Sequence, residues 1–298
     1  MQTRQSTYAS IRWVKPQTHS HAIAAHADAA TKQSGTSTDI ALRKAMEAFG
    51  EPMTVGTPAE QLRDLLAAAA EVEQQLMVEY LYARFSLAGS APAAWTSRLK
   101  TVYKEEMAHL LMVQNLLLLA GGTFHVARMT GVAKADEPFP LRIEPISTAS
   151  LAKYVAAESP MPESLPKDLR EQAQPAFDEA AQNGFQGNRV GLLYAKIYWL
   201  FQSKDAPEGP WMLPLGMFSS GDHIPDADLS LDSIRRQANP SDWEVDNPIG
   251  HGLFAVQVLD RATALEAVFA IARQGEGLMA SRPRQQRVAR IVRAQIVS

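Results

Sequence analysis

Cysteine is absent from the 298-residue chain, which excludes disulfides, thiolate metal sites and cysteine nucleophiles. Carboxylates and seven histidines remain as the strong metal ligands, and the lack of thiols fits a cytoplasmic setting. Charge of one sign is scarce too. Twenty-nine Lys and Arg stand against 32 Asp and Glu, a net charge of -3, which argues against a polyanion binder and against electrostatic docking on acidic membrane. No apolar run reaches the about 18 residues of a membrane span. The nearest, from Leu110 to Ala120, is broken by Gln114 and Asn115. Phosphate-cradling glycine loops, dinucleotide fingerprints, nucleophile elbows and basic patches interleaved with aromatics are missing, so no nucleic-acid partner is expected. Neither useful strand alternation nor an internal repeat is found, and an all-α reading is the economical one.

What is present is ordinary globular composition, 46% hydrophobic and 20% charged, enough for a sizeable core. Residues 1–39, rich in Thr, Ser, Gln, Ala and His, read as a mobile arm in which His19, His21 and His26 are solvated. Residues 40–277 are expected to form one helical domain. Residues 278–298 hold Arg282, Arg284, Arg287, Arg290 and Arg293 with no acid, a basic tail.

Thr57-Pro58-Ala59-Glu60 supplies a capping hydroxyl, a proline suited to the first helical position and an acid for the reciprocal bond. No Gly or Pro interrupts 59–88, which predicts a helix of about 45 Å. A second breaker-free stretch, 93–120, stops at Gly121-Gly122, and the short connection makes the two helices antiparallel. The proline-rich 123–168 reads as a long crossover with one short helix at 147–158. Helical pattern returns at 169–182 and 190–202. Residues 204–256 read as an irregular excursion covering one end of a four-helix bundle, and 256–274 as its fourth helix.

On the first long helix the apolar stripe Leu62, Leu66, Ala69, Val72, Leu76, Tyr80, Ala83 also carries Glu73, which should face the core. Glu71 falls on the polar side and Glu79 borders the stripe, able to face either way; a solvated face is the expected reading for both. The second stripe, Leu99, Val102, Tyr103, Leu110, Val113, Leu117, is completed by Glu106 and His109. Three residues of spacing places this carboxylate and imidazole one turn apart on one face, the Glu-x-x-His arrangement of carboxylate-bridged metal bundles. Such spacing arises by chance in a chain with 32 acids; its place on the stripe is what singles it out. A buried hydrogen-bonded pair without metal is the alternative. A third inward acid, Glu73, favours one or two divalent ions, which would neutralise otherwise unpaired charge. Gln274-Gly275-Glu276-Gly277 reads first as a helix stop and second as a source of a ligand, Glu276. His125, His223 and His251 read as surface or helix-end residues, and Tyr194, Tyr198 and Trp199 as bundle core rather than pocket lining.

The stretch Val72-Glu73-Gln74-Gln75-Leu76-Met77-Val78-Glu79-Tyr80-Leu81-Tyr82-Ala83 and the block Glu105-Glu106-Met107-Ala108-His109-Leu110 resemble the ferritin-like family named for iminophenyl-pyruvate dimer synthase. Ile143-Glu144-Pro145-Ile146-Ser147, Gly191-Leu192-Leu193-Tyr194-Ala195-Lys196-Ile197 and Gln274-Gly275-Glu276-Gly277 look like its later blocks. The resemblance implies a ferritin-like four-helix bundle with a carboxylate and histidine metal centre. Glu73, Glu106, His109 and Glu276 would hold one or two iron ions, with Glu106 bridging if there are two. It further implies an oxidoreductase using dioxygen on an amino-acid-derived imine or similar small metabolite, and a homo-oligomer is compatible with it. The chain departs from the family pattern in having Leu192 where an acid is expected and no Ser-His block beyond Gly277. Those departures support the rival reading, a non-catalytic ferritin-like accessory or binding protein with a degenerate site.

Overall fold

The computed structural model describes residues 11–15, 37–87, 93–127, 143–158, 162, 165, 167–182, 189–203, 209–214, 216–218, 223–239 and 256–274. In chain order the elements are β1 (Arg12–Val14), α1 (Ser37–Phe49), β2 (Glu51–Met53), α2 (Pro58–Ser86), α3 (Ala93–Leu119), α4 (Thr148–Glu158), α5 (Lys167–Gln182), α6 (Arg189–Phe201) and α7 (Arg261–Gln274). Two short 3₁₀ turns, Asp226–Asp228 and Leu231–Arg236, precede α7.

Thr57 starts α2 as its sequence predicts. Its hydroxyl accepts from the Glu60 N–H at 3.3 Å while its own N–H donates to Glu60 Oε2 at 2.8 Å, the reciprocal capping box. The end of α3 is closed by Gly121, whose φ of 76° only glycine adopts freely, with Gly122 N–H reaching back to Leu117 O at 2.9 Å. Arg63, near the start of α2, donates to Ala120 O just past the end of α3 at 3.2 Å, whereas Glu73 and His109 meet halfway along both. The two long helices are therefore antiparallel. α6 and α7 complete the bundle, α6 packing on α2 and α7 packing on both α3 and α6.

From Val190 to Phe201 every residue of α6 is buried. A helix buried all round needs cover on the side away from the bundle. α1 and β2, neither of them legible in the sequence, supply it by packing against α6. The fully buried Lys196 ammonium reaches Glu51 Oε1 on β2 at 2.5 Å. β2 pairs antiparallel with β1, Trp13 opposite Pro52. Arg12–Val14, read in the sequence as part of a mobile arm, thus forms a strand, and Ile11 just before it is buried. The crossover contributes the expected short helix as α4, which packs with α5.

The excursion before α7 covers one end of the bundle, as expected, and it also sends Leu213, Phe218 and Ile224 into the core. Hydrogen bonds to both backbone and side chains of the bundle anchor it. Ser230 N–H donates to Leu119 O at 2.7 Å and Ile224 N–H to Leu200 O at 2.9 Å. The Arg261 guanidinium donates to Phe201 O at 2.6 Å and to Ile224 O at 2.7 Å. Three side-chain amides each exchange two hydrogen bonds with one backbone residue: Gln114 with His125, Asn115 with Ala238, and Gln202 with Leu213. Each such clasp imitates a strand pair and satisfies irregular backbone that would otherwise be buried without partners. α7 begins at Arg261, later than the predicted 256, because Asp260 caps it: its carboxylate accepts the Thr263 N–H at 2.8 Å. Val258 is buried without being helical.

Candidate metal centre

Three of the four predicted ligands converge. α2 brings Glu73, and α3 brings Glu106 and His109 one turn apart, so antiparallel packing at mid-length sets the two carboxylates on either side of one imidazole. His109 Nδ1 lies 3.0 Å from Glu106 Oε2 and 3.3 Å from Glu73 Oε2. All three side chains are at most 1% exposed. One ligand atom from each fits within 4.8 Å of the others, the only such group of three or more ligating side chains among the described residues. Glu276 lies outside those residues, as do His19, His21, His26 and His251.

Burial raises the Glu73 pKa above its ordinary value, against the pull of His109. Burial alone would lower that of His109, but the Glu106 and Glu73 carboxylates outweigh it and lift the imidazole well above 6.5. Without a metal the ring is therefore a cation held between two acids. One nitrogen cannot satisfy both: Nδ1 carries one proton, Glu106 is the nearer partner, and Glu73 Oε2 is left buried without a hydrogen bond. An orphaned carboxylate oxygen, a second carboxylate and an imidazole around one point form a mixed O and N donor set that fits a divalent first-row metal.

A fourth side chain completes the group. Tyr194, on α6 and fully buried, donates its phenolic hydrogen to Glu73 Oε1 at 2.5 Å. The sequence pattern puts Tyr194 in the core, and the family resemblance implies an acid at the position of Leu192. Leu192 is fully buried, and it is Tyr194 that faces the acids. A buried tyrosine hydroxyl on an otherwise apolar helix needs a partner, which is the signal that could have found it.

Two expectations are corrected. Glu71 and Glu79 are not solvated: each is 1% exposed. Glu71 Oε1 meets His125 Nε2 at 2.8 Å, and Glu79 Oε1 accepts from Gln75 Nε2 at 3.1 Å. His125, expected at the surface, is drawn in by that bond. His223 is buried also, its Nδ1 at 2.7 Å from Trp199 O. Trp199 and Tyr198 are core as predicted, the Tyr198 hydroxyl accepting from Trp211 N–H at 3.0 Å.

Among the described residues no helix is long and apolar enough to cross a membrane. The chain is 25% identical over 248 residues to a protein of Chromobacterium violaceum named 2-imino-3-(indol-3-yl)propanoate dimerase, the match covering 73% of this chain. It spans 21% of that relative's length. No solved structure matches. The ferritin-like family matches residues 66–289, a span that includes the three converging side chains, and the chain belongs to it.

Proposed function

We propose that this ferritin-like protein is a metal-dependent oxidoreductase that uses dioxygen on an amino-acid-derived imine or a similar small metabolite. The observation that carries the reading is the buried Glu73, Glu106 and His109 group with its orphaned carboxylate oxygen. Glu276, just past the described end of α7, is the fourth ligand in this reading. The metal is iron, one ion or two. Bound iron supplies the one-electron chemistry that dioxygen requires and that no side chain provides. The side chains have simpler tasks. Glu73 and Glu106 neutralise the cation, His109 gives up its proton to become a neutral donor, and the apolar stripes around Val72, Leu76 and Val113 exclude bulk water. The imine is suggested by the name of the Chromobacterium relative, a dimerase of 2-imino-3-(indol-3-yl)propanoate.

A second reading rests on Leu192, buried where the family resemblance implies an acid: a ferritin-like binding or accessory protein that keeps the bundle and has lost the full centre. Metal analysis separates the two. Protein expressed with added iron is expected to carry it in near-stoichiometric amount, and Glu106→Ala and His109→Ala are expected to lose it. A ratio near zero in the wild type, unchanged in both variants, overturns the enzyme reading. If iron is found, anaerobic protein mixed with an aromatic amino-acid imine and then air is expected to consume oxygen only when loaded.

A further inference from the structure

The two oxygens of the Glu73 carboxylate are not equivalent. Oε1 accepts the Tyr194 phenol from α6 at 2.5 Å, while Oε2 faces His109 at 3.3 Å and accepts no hydrogen bond. Both side chains are fully buried, so no water competes with the phenol. Every residue flanking Tyr194 on α6 is enclosed as well, which locks the ring and with it the hydroxyl. A hydrogen bond to a carboxylate in such surroundings is strong and directional.

The geometry points to Tyr194 as a positioning residue for Glu73: by occupying Oε1 it turns the carboxylate so that Oε2 alone is presented to a cation shared with Glu106 and His109. Glu73 is thereby a one-oxygen donor, and its rotamer is fixed before the metal arrives. Tyr194 itself is not a ligand. This inference rests on the metal-centre reading and adds to it the element that couples the third bundle helix to the site, where an acid was expected at the neighbouring Leu192.

The test is the affinity for manganous ion, measured by chelator competition, in the wild type, Tyr194→Phe and Tyr198→Phe. Removing an outer hydrogen-bond partner of a ligand is expected to weaken binding about 10- to 100-fold in Tyr194→Phe. Tyr198→Phe removes an equally buried phenol whose partner is Trp211 N–H. It is expected to lower thermal stability and leave the affinity within twofold of wild type. A merely structural role for Tyr194 predicts the same pattern for both variants, and equal affinities in wild type and Tyr194→Phe overturn the inference. A measurement on unaltered protein guards against misfolding of the variant. Ferric wild type is expected to show no phenolate-to-iron absorption in the visible, and such a band would make Tyr194 a ligand and sink the positioning role. Wild type that binds no metal overturns both this inference and the proposed function, whereas metal-binding wild type with an unaffected Tyr194→Phe overturns this inference alone.

Discussion

Asn115, near the end of the second long helix, and Ala238, in the excursion before the last, exchange two hydrogen bonds: Nδ2 donates to Ala238 O at 2.9 Å and Oδ1 accepts the Ala238 N–H at 3.0 Å. Asn115 is fully buried, so both halves of its amide depend on this one backbone residue. Asn115→Asp keeps the size and the acceptor but turns the donor into an oxygen that faces Ala238 O. Leaving a buried polar group unsatisfied costs about 1–3 kcal/mol, and more when it is charged. The variant is expected to lose at least that much in urea unfolding and to be cut faster by protease within 223–239. Unchanged stability and cleavage would mean that the clasp does not hold the excursion.

A clasp of this kind explains where the sequence was legible and where it was not. Thr57, Gly121 and the stripes carrying Glu73, Glu106 and His109 could be read because capping and helical periodicity are local rules, satisfied within a few residues. Asn115 interrupting an apolar run was equally visible, but its partner lies far along the chain and in irregular backbone, which no periodicity announces. Glu71 failed for a related reason. It sits off the apolar stripe, and only the loop that brings His125 onto α2 turns that face into interior. α1, β1 and β2 stayed hidden because the need for them arises on α6, whose unbroken burial calls for cover that the covering segments themselves do not advertise. Tyr194 was assigned to the core and is in the core. Its hydroxyl, aimed at a carboxylate on another helix, is the part that apolar patterning ignores.

Lys196 and Glu51 give the cover of α6 a measurable anchor. Both are buried, and the Lys196 ammonium also lies 4.9 Å from the Phe218 ring centre. Removing one member of a buried ion pair leaves the other charge stranded, typically at a loss of about 3–5 kcal/mol, while replacing both by apolar groups is often neutral. Lys196→Met alone is therefore expected to lower the thermal midpoint sharply, and Lys196→Met combined with Glu51→Leu to recover most of the loss. Additive losses in the double variant would mean that the two charges are not coupled, and the pair would then not be the anchor of this cover.

Helix caps set an acid dependence of stability. The Thr57 N–H and hydroxyl hold Glu60 below its ordinary 4.5, and the Thr263 N–H and hydroxyl, with the Ala262 N–H, hold Asp260 below 3.8. A carboxyl depressed in the folded state stabilises above its unfolded value, and that contribution is lost as pH falls through the folded one. Stability should therefore drop between about pH 5 and pH 3 through these two groups among others. In Thr57→Ala combined with Thr263→Ala the drop over that window is expected to be shallower, the variant being already weaker at neutral pH. Parallel curves for wild type and variant would remove the caps as a cause.

In the metal-free centre the protonated ring of His109 stands where a cation would stand, between Glu106 at 3.0 Å and Glu73 at 3.3 Å. Because the two acids raise its pKa well above 6.5, the ring holds its proton at neutral pH, and a metal must expel it before the imidazole can donate. The sign follows directly. Below the raised value each lost pH unit favours the proton over the metal, so affinity should fall about tenfold per unit as pH falls, and uptake at pH near 7 should release at least one proton per ion. Calorimetric titration of manganous ion in two buffers of different ionisation enthalpy reads this number from the difference in heats. In His109→Ala any residual binding should release fewer protons, because the group that yields one is gone. Binding by the wild type with no proton release would mean that the metal does not displace the proton of His109, and the ligand set would then have to be drawn without that residue.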